Sequence, residues 1–278
     1  MHKRNTPTLI YKRRFKTVIV LGIIILGFTS LSNSYAQGSL EPKMVAIKGG
    51  TFIMGQNTGE GDEKPEHEVV LHDFFIGKYE VTVLEYRAFC EATEREMPEE
   101  PEWGWVDNHP IINLSWNDAS AYIEWLNIIT KQAYRLPTEA EFEYVIRNGG
   151  ESGIYPWGNG IPQNENLADL AFNVKTSSNR IWKEHNDGHA FIAPVGSFKP
   201  NKLGVYDING NIWEWCQDWY GHYPSQKTTN PKGPKTGTHK VGRGGSYNAD
   251  PWHSRSASRA WVKPDFKKPG FRLAKNKK

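Results

Sequence analysis

Hydrophobic and polar positions alternate early in the body of the chain. Met44 to Lys48 and Thr51 to Met54 are short alternating runs, and the Gly49-Gly50 pair between them predicts a β-hairpin with a primed turn. Thr58 to Glu68 is acidic and glycine-rich and is expected to be an exposed loop, whereas His67 to Val81 is apolar and β-branched enough for one or two strands. Three helix starts carry a capping-box signature, in which a hydroxyl and a carboxylate three residues later satisfy orphan amides reciprocally. These are Thr82 with Glu85, Ser115 with Asp118, and Thr138 with Glu141 directly after Pro137. The second opens a stripe of Ala119, Tyr122, Leu126 and Ile129 at helical spacing. Glu139, Glu141 and Glu143 fall in or near a first turn, where carboxylates serve as caps and dipole partners far more often than as acid/base catalysts. Beyond Gly149 the periodicity fades into loops punctuated by tryptophan. Loops of that length need something to hold them, and a bound metal is the cheapest candidate. With no repeat and no Pro/Ser linker, the body reads as one domain.

Composition changes the picture mainly at the N-terminus. Lys3, Arg4, Lys12, Arg13, Arg14 and Lys16 precede an apolar run from Val18 to Phe28 and a small-residue pattern at Ser34-Tyr35-Ala36. That is the layout of a secretory signal peptide over residues 1–36, followed by a short linker at 37–43. It predicts export, to a periplasm or the exterior, with membrane attachment only through an uncleaved leader. The whole chain carries a net charge of +3, and removing the six leader cations leaves the body at −3, so the basic balance gives no reason to expect a nucleic-acid partner. The basic tail at 275–278, with Lys275, Lys277 and Lys278, reads as solvated. The 26 glycines, 17 prolines and 11 tryptophans point to many turns and heavy aromatic packing. The two cysteines, Cys90 and Cys216, could pair in an oxidising compartment or sit apart as small apolar residues.

Eight segments occur in a distinctive order: GGTFIMG (Gly49 to Gly55), YEVT (Tyr79 to Thr82), HPIINLSWNDASAY (His109 to Tyr122), RLPTEAEFEY (Arg135 to Tyr144), YPWGN (Tyr155 to Asn159), APVGSFKPNKLGVYDINGNIWEW (Ala193 to Trp215), RGGSY (Arg243 to Tyr247) and GFRLA (Gly270 to Ala274). In these the chain resembles the formylglycine-generating enzyme, or sulfatase-modifying factor, family. The resemblance implies a single α+β domain over 44–274, C-type-lectin-like, with little regular secondary structure and with bound calcium.

Calcium seeks six to eight hard oxygens in flexible geometry. By the family pattern the ligands of one site are Asp207 and Glu214 through side chains and Gly210 and Ile212 through carbonyls. Those of the other are Asn166 with the Leu167 carbonyl, and Asp187 with the His189 carbonyl. Zinc and iron fit poorly, because no HxE or CxxC spacing occurs. The family's oxidases hold copper(I) on two cysteine thiolates after the GGSY-like motif, a soft ion on soft ligands. Here Asn248 to Arg259 contains no cysteine, so copper is not expected. The resemblance places Trp213 and Ser246 in a substrate cleft, with Asn248, Trp252 and His253 in the altered segment. Trp215 and Trp219 are expected in the core, and His253 lacks an accompanying nucleophile motif. The function expected is an exported, calcium-stabilised module that binds a peptide, protein or glycan. The alternative is a metal-dependent oxidoreductase of the same superfamily acting on a peptide or small thiol.

Overall fold

The computed structural model describes residues 41–158 and 160–277. The signal peptide expected at 1–36 and most of the linker lie outside the described residues. The architecture is α+β. Its strands are β1 (Met44–Ile47), β2 (Thr51–Met54), β3 (His67–Val70), β4 (Phe74–Gly77), β5 (Tyr134–Arg135), β6 (Glu214–Trp219), β7 (Thr228–Thr229), β8 (Lys240–Arg243), β9 (Ala260–Val262) and β10 (Ala274–Asn276). The helices are α1 (Val83–Thr93), α2 (Trp116–Thr130), α3 (Glu139–Ile146) and α4 (Leu170–Thr176). Three small sheets form in the orders β1-β4-β10-β5, β2-β3-β7 and β6-β8-β9. No described helix is long and apolar enough to cross a membrane.

All three capping boxes are present, with Thr82, Ser115 and Thr138 each accepting from the backbone amide three residues on and receiving the reciprocal carboxylate. Ala119, Tyr122 and Leu126 are buried as the spacing predicts, together with Ile123, while Ile129 packs at the edge of the cluster. One apolar cluster joins β1 to β4 with Phe142 and Val145 of α3, and a second gathers Tyr86, Phe89, Tyr122, Trp215 and Phe271 around α1 and α2. Trp215 is fully buried, and its indole Nε1 donates to the Leu114 carbonyl at 3.0 Å. Trp219 is half-buried and faces the Lys240 ammonium, which sits 3.9 Å from its ring and 3.9 Å from that of Trp116.

Two local expectations are corrected. β1 and β2 do not form a hairpin: β1 pairs with β4, and β2 pairs with β3, in separate sheets. Gly49 and Gly50 do not adopt positive φ. A side chain at Gly49 would collide with the Leu71 carbonyl, and Leu71 N donates to Gly50 O at 2.9 Å, so the pair serves a close backbone crossing instead of a turn. The 58–68 stretch is also not simply exposed. A 3-10 turn at Gly61–Glu63 carries Glu63 inward, where it is 1% exposed and meets Arg255, Nη2 to Oε1 at 2.6 Å.

That pair belongs to a set of buried guanidinium–carboxylate contacts that no local pattern along the chain anticipates. Glu143 binds Arg147 (2.9 Å) and Arg243, and Glu139 binds Arg259 (2.7 Å) and Arg243 (3.2 Å). Burial would push the Glu143 carboxyl up, but Arg243 and Arg147 outweigh it and hold Glu143 below its ordinary value. Glu139 and Glu143 are therefore ion-pair partners and not only dipole partners of α3. The same guanidinium groups donate to loop carbonyls: Arg243 to Ser256 and Ser258, Arg147 to Gly55 and Gly153, Arg259 to Asp62 and Gly221. The long loops are thus tied chiefly by arginine, with tryptophan packing second.

Removing one partner of such a buried pair strands the other charge, which costs about 3–5 kcal/mol, whereas an exposed pair contributes about 0–1 kcal/mol. Arg243→Met is expected to lower the free energy of unfolding in urea by about 3–5 kcal/mol, and Arg87→Ala, at the exposed pair with Asp107, by under about 1 kcal/mol. Equal losses for the two variants would remove the buried pairs from the account.

Candidate functional site

The loop from Asp207 to Glu214 leads into β6 through three left-handed residues, Asp207 (φ 51°), Gly210 (φ 84°) and Asn211 (φ 56°). Gly210 is confined by a close approach, since a side chain there would strike the Asn166 carbonyl. Glu214 at the end of the loop is fully buried and accepts from Arg272, at 2.7 Å from Nη2 and 2.8 Å from Nε. Arg272 also donates to the Asp207 carbonyl at 3.1 Å. Glu80 of the YEVT segment, which no spacing pointed to, joins them: its Oε2 lies 4.0 Å from Arg272 Nη2 and has no hydrogen-bond partner. Burial and then the neighbouring Asp207 push Glu80 well above its ordinary range, and burial likewise raises Asp207 and Glu214. Three carboxylates thus face one guanidinium. A carboxylate has about four lone-pair positions, so Glu214 can satisfy Arg272 and still ligate a cation. An excess of buried acid with an orphaned oxygen fits a bound hard cation.

Asn166, Leu167, Asp187 and His189 are brought together by backbone donors. Asp187 accepts from Leu167 N at 3.0 Å and from His189 N at 2.7 Å. The Asn166 amide donates to the Phe191 carbonyl at 2.9 Å and to Asn211 Oδ1 at 3.1 Å, but its Oδ1, on a residue only 1% exposed, has no partner. Burial, with Asp169 adding repulsion, pushes Asp187 up to about 6. Asp169 and His185 stand within 4.8 Å of Asp187 and form with it a possible Asp/His/Asp metal site. Neither belongs to the eight ordered segments. Asp169 has a structural duty as well, accepting from Ala171 N and Phe172 N as the N-cap of α4. His185 directs Nε2 to the Glu165 carbonyl at 3.0 Å.

The five residues expected in a cleft fall into three contacts. Trp213 and His253 meet edge to face with centroids 5.8 Å apart. Ser246 donates to Asn248 Oδ1 at 2.8 Å. Trp252 stands apart, 43% exposed, covering Arg255 at 3.8 Å and donating to Glu60 at 2.6 Å. His253 Nδ1 lies 3.4 Å from Ser258 Oγ, and Ser258 is 3% exposed, which leaves a substrate carbonyl no route to that hydroxyl. Two adjoining cavities of about 190 and 210 Å³ share Asn148, Pro156, Trp157 and Lys202. One reaches Asp207 and Asn209, the other Ser256. The YPWGN segment supplies their common wall.

Cys90 and Cys216 are both free. Cys90 lies on α1 with its thiol against the Glu96 carbonyl at 3.5 Å, and Cys216 is fully buried on β6 in the other apolar cluster. Burial raises both thiols above their ordinary range and keeps them protonated, and the two residues sit in separate apolar clusters.

The profile of the sulfatase-modifying factor enzyme 1-like domain matches residues 30–277. A formylglycine-generating enzyme of Thermomonospora curvata is 33% identical over 258 residues, covering 73% of this chain and 82% of the relative. The mouse inactive C-alpha-formylglycine-generating enzyme 2 is 30% identical over 249 residues, covering 72% and 76%. Among solved structures, that of PvdO from Pseudomonas aeruginosa superposes with a TM-score of 0.71 at 29% identity, over 85% of this chain and 95% of the other.

One buried acid lies outside all of these contacts. Asp218 of β6, 3% exposed, accepts from Glu139 N at 3.0 Å. Burial first, and then the Glu139 charge, push it up to about 8. Its folded value lies above the unfolded one, so the stability it contributes is complete below about pH 4 and is lost as pH rises toward about 8. Asp218→Asn mimics the protonated form and removes this slope. The melting temperature of the variant should gain on that of the parent between pH 5 and pH 8.5, and a constant difference would show that Asp218 is ionised throughout.

Proposed function

The chain belongs to the sulfatase-modifying factor family, and from that premise we propose that it is an exported, calcium-stabilised binding or accessory module and not a formylglycine generator. The observation that carries this reading is the state of the thiols. The segment from Asn248 to Arg259 has none, and the chain's two cysteines are buried in separate apolar clusters. A copper(I) centre needs two thiolates converging on one ion. Oxygen and imidazole donors from Asn248, Asp250 and His253 are a poor substitute for such a soft metal. A relative named as inactive, similar over most of its length, is consistent with a scaffold that persists without the oxidase chemistry.

Calcium supplies no reaction here; when bound, it cross-links loops through hard oxygen ligands. Asn166 and Asp187, with the Leu167 and His189 carbonyls, would hold one ion. Asp207 and Glu214, with the Gly210 and Ile212 carbonyls, would hold the other. The orphaned oxygens of Asn166 and Glu80 and the uncompensated carboxylates support both sites. The ligand is a peptide, protein or glycan received at the exposed Asn248, Trp252 and His253 beside the half-buried Trp213, with Ser246 buried behind Asn248. Export rests on the basic, apolar and small-residue succession of residues 1–36.

Two measurements test the reading. A native-state ligand present at a hundred-fold over its Kd stabilises by about 2.7 kcal/mol. Chelation should therefore lower the melting temperature by about 5–10 °C for a domain of this size, and Asp187→Ala should reproduce part of the loss. An unchanged melt after verified metal removal refutes the calcium sites. Separately, the protein incubated with copper(I), oxygen and a cysteine-containing sulfatase peptide should leave the peptide mass unchanged. The mass loss of a thiol turned to an aldehyde, or a tightly held redox metal in elemental analysis, would turn the assignment toward an oxidoreductase.

A further inference from the structure

Asn211 touches both candidate cation sites. Its Oδ1 accepts from Asn166 Nδ2 at 3.1 Å and from Ala193 N at 2.9 Å, and its own backbone N donates to the Asn166 carbonyl at 2.7 Å. Its Nδ2 donates to Glu80 Oε1 at 3.1 Å and to the Ala193 carbonyl at 3.3 Å. Its chain neighbours, Gly210 and Ile212, carry the carbonyls of the Asp207–Glu214 site. Asn211 is 1% exposed, so water does not replace these bonds.

Each side chain that Asn211 holds keeps one atom without a partner. Asn166 gives Nδ2 to Asn211 and leaves Oδ1 orphaned, and Glu80 gives Oε1 to Asn211 and leaves Oε2 orphaned. Both residues are 1% exposed. Leaving a buried acceptor unpaired costs about 1–3 kcal/mol, so two such acceptors placed symmetrically about one amide mark positions for a ligand. A cation on Asn166 Oδ1 fixes the plane of that amide and with it the Nδ2 bond to Asn211. That fixes the Asn211 amide, whose Nδ2 holds Glu80 Oε1 and leaves Oε2 4.0 Å from Arg272 Nη2, the group that also binds Glu214.

We propose that Asn211 is a positioning residue shared by the two sites, that Glu80 belongs to the second site, and that a hard divalent cation bound at one site raises the affinity of the other. This rests on the calcium reading above and adds coupling to it. The first ion orders the Asn166–Asn211–Glu80 chain, the second finds it already ordered, and linkage makes the effect reciprocal. Asparagine suits the position twice over, because it tolerates the left-handed φ of 56° and offers one donor face and one acceptor face.

The test is calorimetric titration of calcium into the full chain after chelation, with melting temperature followed at each increment. Two ions should bind, the second more tightly than the first by a coupling factor of at least about five-fold. Asn211→Gly keeps the left-handed backbone and removes the link. Asn211→Asp keeps the shape but cannot donate to Glu80, and so serves if the glycine variant does not fold. In either variant two ions should still bind, with the coupling factor reduced to about one and the melting increments additive. Equal, independent sites in the parent, or coupling that survives in the variants, overturns the proposal while leaving the calcium reading intact. A failure to bind calcium at all overturns both.

Discussion

Buried guanidinium groups that pair with carboxylates and also grip loop carbonyls are the constraint on which the rest of the structure depends. Regular elements account for only part of the chain, and three small sheets cannot by themselves define the path of the segments between them. Arg147, Arg243, Arg259 and Arg272 each meet a carboxylate in the interior and each donate to backbone oxygen in a distant stretch. A guanidinium has five donors in a planar fork, more than one carboxylate can use, so the surplus falls to the loops. Loop carbonyls that would otherwise be buried without partners are satisfied in the same way.

The same logic explains where cations would enter. Around Arg243 the acids are outnumbered, with Glu139 and Glu143 shared among three guanidinium groups, Arg147, Arg243 and Arg259. Around Arg272 the acids are in excess, since Glu80, Asp207 and Glu214 surround a single guanidinium. One cluster leaves no acid unpaired, and the other leaves Glu80 Oε2 without a partner. The difference lies in the count of acids around each guanidinium group.

Local signals were the legible part of the fold. Capping boxes depend on residues three apart, and Thr82, Ser115 and Thr138 begin helices as their spacing indicates. Gly49-Gly50 misled because glycine marks either a positive φ or a close approach, and sequence does not distinguish the two. Glu63 misled because an acidic, glycine-rich stretch looks solvated unless its partner, Arg255, is known to lie opposite it. Of the site, the Asp207, Glu214, Asn166 and Asp187 stretches came from family resemblance, whereas Glu80, Asn211, Asp169 and His185 join only through long-range contacts. No periodicity or spacing rule reaches across the 131 positions between Glu80 and Asn211.

The placement of the arginines bears on how this scaffold can change over time. Residues 244–254 run between Arg243, anchored on Glu143, and Arg255, anchored on Glu63. A stretch pinned at both ends by the frame, with its middle near the surface at Trp252, behaves as an exchangeable cassette. Side chains between the clamps, apart from Trp252 over Arg255, can then vary while the two ends stay held in place.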